Sequence, residues 1–334
     1  MEKIRFDKLP QDVRSVLQQI TLAADGKGVS VWLVGGMVRD LLLGRSSFDI
    51  DIVVEGDGVA FAGLLTKRLG GESLIHRRFG TVAIDLPNGL KVDVVTARRE
   101  LYAHPGALPD VIFAQLSDDL FRRDFTINAV AASLNAVDLG VIRDDFDGVA
   151  DLKKGLVRIM HYRSFVDDPT RIIRAVRYKK RFGFKLEART LSALKTACHE
   201  DVFMTITPVR YFNEFKRILD EDDPSSALRR LRVLDGLRYF SFGQVEERLL
   251  DKIVRSQATV FSYQESWSDV RLLRLAGLLC FLDKPRVDQL MVLFNMPKSD
   301  KQKILEFLHF LRVPDMLGRL KTREFATSPK RRTA

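Results

Sequence analysis

Cysteine is almost absent: Cys198 and Cys280 are the only two in 334 residues. Two thiols build neither a disulfide framework nor a zinc cluster, so the expected setting is reducing and cytoplasmic. Long apolar runs are missing too. The richest stretch, LLRLAGLLCFL at 272–282, is too short to cross a bilayer and carries Arg274. The opening residues, MEKIRFDKLP, hold no apolar leader, so secretion is not expected. No repeat period is detectable in the second half of the chain.

What is present is an ordinary folded-protein composition with a charge bias. Hydrophobic residues make up 46% and charged residues 29% of the chain, enough for two or three domains with a sizeable core. The formal net charge of +10 points to a polyanionic partner, nucleic acid before membrane.

Residues 10–24 have apolar positions at 13, 16, 17 and 20 and read as a helix, broken by AspGlyLysGly at 25–28. VSVWLV at 29–34 reads as a strand, GlyGly follows, and MVRDLLLG forms a short helix closed by Gly44. FDIDIVVE at 48–55 is the next strand, and VAFAGLLTKRLGG the next helix. TVAIDL and LKVDVVT are strands joined by ProAsnGly as a hairpin. Beyond about residue 150 strand signals nearly vanish. Segments 167–182, 188–199, 207–220, 225–234, 245–258, 267–283 and 299–311 read as helices. The fold class is therefore α+β: a head with a mixed, partly antiparallel sheet, then an all-α region. The tail FATSPKRRTA is basic and rich in small residues, the composition of a mobile segment.

Strand side chains alternate faces, so Asp49 and Asp51 project to one side while Ile50 and Ile52 enter the core. In LKVDVVT, Asp93 stands on the face opposite Leu90, Val92 and Val94. If the two strands are neighbours, three carboxylates converge and repel unless a cation sits among them. An oxygen-only donor set suits Mg²⁺, which completes its shell with water and substrate phosphates. Two strand aspartates alone would also fit a surface edge strand; Asp93 and the glycines weigh against that. Gly35 and Gly36 lie where strand gives way to helix, either a simple tight turn or a cradle for phosphate. They match neither the Walker pattern nor GxGxxG. Arg39 follows a turn later and reaches towards such a phosphate, with Asp40 placed to orient it or to serve structure only.

VGGMVRDLLLG…FDIDIVVEGD resembles the signature of class II tRNA nucleotidyltransferases and bacterial poly(A) polymerases, a branch of the polymerase-β-like superfamily. Four more segments follow in that family's order: LFRRDFTINAVA at 120–131, DDFDGVADLKKGLVRIM at 144–160, DDPTRIIRAVRYKKRFGF at 167–184 and TPVRYFNEFKRIL at 207–219. The likeness runs from about residue 30 to 220; the C-terminal third carries no recognised motif.

The resemblance implies a polymerase-β-like catalytic head at 1–140, a helical neck at 141–225 and a helical body at 226–334. It implies template-independent addition of C, A or both to tRNA 3′ ends from CTP and ATP. Asp49 and Asp51 would hold two Mg²⁺ ions, with Mn²⁺ as an alternative, and Asp93 would help activate the 3′-hydroxyl. Gly35, Gly36 and Arg39 would meet the triphosphate, and Arg123, Asp124 and Asn128 the ribose and triphosphate. Asp124 as the N-cap of a helix is the plainer reading of that stretch. Asp168 and Arg171, three apart on a helix, can face a base together. A carboxylate accepts from an exocyclic amine and a guanidinium donates to a ring nitrogen, which admits C and A and rejects G and U. The family usually has Glu where Asp167 stands. Arg174 completes the nucleotide set.

From 158 to 181 there are eight Lys or Arg against two acids. Arg177, Lys179, Lys180 and Arg181 are the expected RNA contacts, a solvated basic face being the alternative. Arg210 and Glu214 are expected to brace the base-selecting helix. TARRELYAHPGALPDVIF at 96–113 takes the place of the family's flexible loop. DIVVEGD and ALPDV look more like A-adding relatives, and no HD-type phosphohydrolase pattern appears. A poly(A) polymerase acting on other RNAs is the alternative function. No obligate protein partner is evident.

Overall fold

The computed structural model describes residues 2–45, 48–240, 269–280 and 282–311. The chain divides into two compact units, 1–205 and 206–334, whereas the functional segments read from the sequence divide at 140 and 225. Among the described residues no helix is long and apolar enough to cross a membrane.

The first unit opens with α1 (Gln11–Lys27), whose Val13, Val16, Leu17 and Ile20 form one buried stripe. The break expected at Asp25 does not occur. Gly26 is tolerated within the last turn, and the helix closes at Gly28, which adopts φ 63° and donates its N–H to Ala24 and Asp25 carbonyls. Then come β1 (Ser30–Val34), α2 (Gly36–Leu42), β2 (Ile50–Glu55) and α3 (Gly58–Leu69). The α3 N-terminus is capped by Asp57, which accepts from the Ala60 N–H. Next are β3 (Glu72–His76), β4 (Thr81–Asp85), β5 (Lys91–Thr96), the pair β6 (Arg98–Leu101) and β7 (Asp110–Phe113), α4 (Leu116–Phe121), β8 (Ala131–Ser133) and β9 (Ile142–Arg143).

Seven of these strands form one sheet in the order β3-β4-β5-β2-β1-β8-β9. Every neighbouring pair is antiparallel except β2 with β5, which is parallel. Ile50, Ile52, Val54, Val92 and Val94 line one face and pack against Val16, Ile20, Phe61 and Leu65 of α1 and α3. On the other face Val34, Val53 and Ala131 meet Leu116 and Leu120 of α4. That second face carries the polar residues described below.

Three local features differ from expectation. β2 begins at Ile50, so Asp49 precedes the strand and is exposed. β3 is an addition to the expected strands: it lies at the sheet edge with all five residues exposed, so no buried alternation marks it. The 96–113 stretch is not structureless, because β6 and β7 pair antiparallel from Arg98↔Phe113 to Leu101↔Asp110. Its prolines and Gly106 fall in the turn between the two strands.

The unit continues with α5 (Gly148–Lys154), β10 (Leu156–Val157), α6 (Ser164–Asp167), α7 (Thr170–Phe182), β11 (Lys185–Leu186) and α8 (Ala188–His199). The helix expected over 167–182 is thus two helices parted at Asp168–Pro169. Proline disfavours helical backbone in the residue before it, and Asp168 sits at φ −135°, ψ 94°.

In the second unit, α9 (Pro208–Leu219) and α10 (Ser225–Val233) match expectation, with Thr207 capping α9 through the Arg210 N–H. Then follow α11 (Val270–Leu279), α12 (Lys284–Leu293) and α13 (Lys298–Leu311). The helix expected across 267–283 ends at Leu279, and α12, which Asp283 caps, has no counterpart among the expected helices. Buried aromatic rings hold this unit, Phe212 stacking on Phe294 at 4.3 Å between centroids. Arg274 binds the carbonyls of Leu219, Glu221 and Asp222 at 2.6, 2.6 and 3.0 Å, closing the C-terminal end of α9. The helix expected at 245–258 and the basic tail lie outside the described residues.

Candidate active site

The parallel β2/β5 ladder sets Asp51 directly opposite Asp93, and Ile50 opposite Val92. Alternation then turns both carboxylates away from the aliphatic core, as the sequence pattern requires. Burial pushes the Asp51 carboxyl up to about 6, with Arg123 opposing and Asp93 and Asp49 adding to the rise. Asp93 is more open; partial burial and then Asp49 raise it, against Lys91. Three carboxylates therefore crowd one end of the sheet, and like charge there adds to the rise at Asp51 and Asp93.

Gly35 lies at the turn out of β1 with φ 72°, a left-handed backbone that favours glycine. A Cβ there would stand 3.2 Å from both Arg123 Nη1 and Asp51 Oδ2. The main chain, a guanidinium and a carboxylate thus meet at one point. Gly36 opens α2, with the nearest atom to an added Cβ being Arg39 Nη2 at 3.6 Å.

The oxygen-only set fits a divalent cation. Among the described residues no group of three or more His, Cys, Asp or Glu is arranged to hold a metal on protein ligands alone. Mg²⁺ normally uses one or two carboxylates and takes its remaining ligands from water and phosphate, which matches two acidic side chains beside a polar, glycine-lined opening.

Beside this point runs a buried polar chain. Arg39 donates to Asp40 Oδ1 at 2.8 Å and to Asn128 Oδ1 at 2.7 Å. Asn128 Nδ2 donates to Asp124 Oδ1 at 2.8 Å, and Arg174 Nε to Asp124 Oδ2 at 2.7 Å. The Arg39 guanidinium also lies 4.7 Å from the Phe182 ring centroid and 5.4 Å from that of Tyr178. Burial raises the Asp124 carboxyl, yet Arg174, Asn128 and Arg171 outweigh it and hold Asp124 below the ordinary range. Asp40 does orient Arg39. The short 3₁₀ turn Thr126–Asn128 has Phe125 at its N-cap position and no side-chain cap bond; Asp124 Oδ1 instead accepts the Phe125 N–H at 2.9 Å, and Asp124 is the hub of this chain.

Asp168 and Arg171 both act electrostatically on Tyr102, and each is also engaged by neighbours. Asp168 stands outside α7 and accepts from the Thr170 N–H at 3.1 Å and its hydroxyl at 2.6 Å. Arg171 is buried and donates to Ser164 Oγ at 2.6 Å and to the Arg122 carbonyl at 2.8 Å. On the same helix Lys179, Lys180 and Arg181 are exposed, whereas Arg177 is buried, with its guanidinium 5.0 Å from the Tyr178 centroid. Arg177 therefore leaves the expected set of RNA contacts, because its side chain packs on Tyr178 and away from solvent. Arg210 and Glu214 lie on α9 in the second unit.

Sequence reasoning passes over Asp119, Glu100 and Ser164. Asp119 is wholly buried and binds Arg122 at 2.6 Å and Arg123 at 3.0 Å. Its signal is present as an acid three and four residues before two arginines. Ser164 has none, because its partner Arg171 lies on another helix, while Glu100 is flanked two residues to either side by Arg98 and Tyr102, which both donate to it.

Residues 31–158 match the family model described as the poly(A) polymerase head domain, and residues 183–241 that of a probable RNA- and SrmB-binding site of polymerase A. The chain is 42% identical over 231 residues to an A-adding tRNA nucleotidyltransferase of Geobacter sulfurreducens, covering 69% of this chain and 26% of that protein. It is 40% identical over 228 residues to an A-adding tRNA nucleotidyltransferase of Halalkalibacterium halodurans, covering 68% and 53%. The chain thus spans from about a quarter to about half the length of these curated relatives. Among solved structures, an apo form of a CCA-adding enzyme superposes with a TM-score of 0.78 at 32% identity, covering 96% of this chain and 77% of the other.

Proposed function

The chain belongs to the poly(A) polymerase head family that includes the CCA-adding and A-adding tRNA nucleotidyltransferases, and on that premise we propose that it adds nucleotides to tRNA 3′ ends without a template, the terminal A above all. The observation that carries this reading is Asp51 opposite Asp93 in a parallel ladder, with Arg123 and the Gly35 backbone meeting beside them. The likeness to two A-adding enzymes at 42% and 40% identity supports the terminal A as product.

In the reaction the tRNA 3′-oxygen bonds to the α-phosphorus of ATP, the bond to pyrophosphate breaks, and the hydroxyl proton leaves. Asp93 is open to the site and held above the ordinary carboxylate range, which suits it to take that proton. Arg123 meets the triphosphate with N–H donors that the protein leaves available. Arg39, packed on aromatic rings and pinned by Asp40, shapes the inner wall through Asn128 rather than reaching outward. Asp49 and Asp51 would hold divalent cations, Mg²⁺ in two sites, which when bound supply charge neutralisation at the attacking and leaving oxygens. Asp168 and Arg171 would choose the base, Arg171 through guanidinium N–H groups beyond the two it gives to Ser164 and the Arg122 carbonyl. Lys179, Lys180 and Arg181 supply an exposed cationic strip for RNA phosphates.

The test is incubation with Mg²⁺ and three tRNA transcripts, lacking CCA, ending in C or ending in CC, each with CTP, ATP or both. One A added to the CC-ending transcript, with the others inert, is the expected result. Full CCA on the first transcript would make the product CCA instead. Long A tails on a non-tRNA control would favour the poly(A) polymerase reading, and no incorporation would overturn nucleotidyl transfer.

A further inference from the structure

Arg123 is drawn up to Gly35 and Asp51, and what aims it is a residue outside every motif quoted above. Asp119 lies on α4 with its side chain wholly buried. Oδ2 accepts from Arg123 Nη2 at 3.0 Å, while Oδ1 accepts from Arg122 Nε at 2.8 Å and Nη2 at 2.6 Å. The two oxygens are thus divided between two successive arginines. Arg122 in turn reaches Glu100 Oε1 at 3.4 Å. Glu100 also accepts from Arg98 Nη2 at 3.0 Å and from the Tyr102 hydroxyl at 2.8 Å. An alternating row, Glu100–Arg122–Asp119–Arg123, runs from β6 to the point where Gly35 and Asp51 meet.

The row is rigid at one end and unfilled at the other. α4 is anchored on the sheet by Glu55, whose Oε1 accepts the Leu116 N–H at 2.8 Å, so Asp119 rides on a fixed element. Burial raises the Asp119 carboxyl, but Arg122 and Arg123 outweigh it and keep it ionised below the ordinary range. Arg123, by contrast, is short of acceptors. Its Nη1 has one long bond, 3.4 Å to the Asn128 carbonyl, and its Nε is buried with no partner. A guanidinium held by one edge with donors to spare is set up to take an anion in a defined direction.

We propose that Asp119 is a positioning residue for nucleotidyl transfer: it fixes the direction of Arg123, so that the triphosphate is held in its reactive orientation. The proposal rests on the transfer reading above. A purely structural Asp119 would serve Arg122 and Arg123 as an internal tie and nothing more.

A double-mutant cycle separates the two. Asp119→Asn, Arg123→Lys and the double variant are assayed with ATP on the CC-ending transcript, with the active fraction of each preparation counted. Asp119→Asn is expected to lower kcat by about tenfold to a hundredfold, since misplacing a group by an ångström costs on that order. The KM for ATP stays within about threefold, because the cationic charge that attracts triphosphate remains. In the Arg123→Lys background the same substitution costs less than about threefold, the mark of coupled residues. Additive losses, or a loss confined to thermal stability, would overturn the proposal. If Asp119→Asn fails to fold, Asp119→Glu keeps the charge and shifts it by one methylene. It is expected to lower kcat with Tm near wild type, and an unchanged kcat would overturn the proposal. A wild-type chain that incorporates nothing overturns the transfer reading as well, whereas an active wild type with an additive cycle overturns the positioning role alone.

Discussion

Asp51 and Ile52 are neighbours in the chain and lie on opposite faces of β2, and the two sides of the sheet are made in different ways. Ile52 is wholly buried among aliphatic side chains of α1, α3, β1 and β5. Such a side is held by apolar area and tolerates no charge, yet within limits it accepts other residues of similar volume. The other side is held by opposed charges: Asp119 between two arginines, and Asp124 between Arg174 and Asn128. There each group depends on the place of its partners, and removing a buried acceptor leaves donors short of one in a low dielectric. The aliphatic side supplies stability that does not need particular chemistry. The charged side places groups in directions, which is what a reaction centre requires.

Substitutions on the two sides should part activity from stability. Asp51→Asn or Asp93→Asn is expected to lower incorporation by at least about a hundredfold to a thousandfold, the scale of removing one preorganised electrostatic group. Asp51→Asn should leave the metal-free protein as stable or more so, because burial and like charges already disfavour the ionised form. Ile52→Ala should do the reverse, costing about 2–5 kcal/mol by the usual cavity effect with the kcat of the folded fraction little changed. Equal effects of both substitutions on stability would erase the contrast between faces.

Asp124→Ala is expected to cost about 1–3 kcal/mol, since it removes the buried acceptor shared by Asn128 and Arg174; chemical denaturation measures it. A loss under about 1 kcal/mol, the scale of an exposed pair, would mean that Arg174 finds another acceptor.

Acid should act on the charged side first. Asp119 and Asp124 both have folded-state carboxyls below the ordinary range. Their contribution is complete above the unfolded carboxylate value of about 3.9 and disappears as pH falls through the lower folded-state values. Wild type should therefore lose stability as pH falls below about 4, and Asp124→Asn should flatten that slope in a urea-midpoint series against pH. An unchanged slope would show that other carboxylates dominate.

The smallest effects belong to α7. Replacing Lys179, Lys180 and Arg181 together with Ala should weaken RNA binding and lower the slope of log affinity against log salt by about 2 to 3, close to one for each phosphate no longer neutralised. Arg177→Ala should instead lower Tm and leave the salt slope as it was, because that residue is buried. If Arg177→Ala moved the salt slope, the buried and exposed faces of α7 would not be the division that matters for RNA.

Strand alternation makes the core side of β2 and β5 readable directly, and glycines and caps mark several helix ends, as at Gly28 and Asp57. The pairing of Asp51 with Asp93 is readable only as a condition, since nothing local says that two strands about 40 residues apart are parallel neighbours. The break at Asp168–Pro169 is written in the proline, though helical periodicity on either side conceals it. β3 is unreadable for a plain reason: an exposed edge strand buries nothing, so it leaves no alternation.

The alternation of Asp51 and Ile52, the apolar stripe of α1, the charge bias and the family likeness all follow from the order of residues, because each depends on positions close together in the chain or on composition. Which carboxylates face one another, that Arg177 is buried while Lys180 is not, and that Asp119 holds Arg123 towards Gly35 follow from packing alone. Burial and the direction of a side chain depend on elements far apart in sequence, and only the assembled sheet with its helices brings those together.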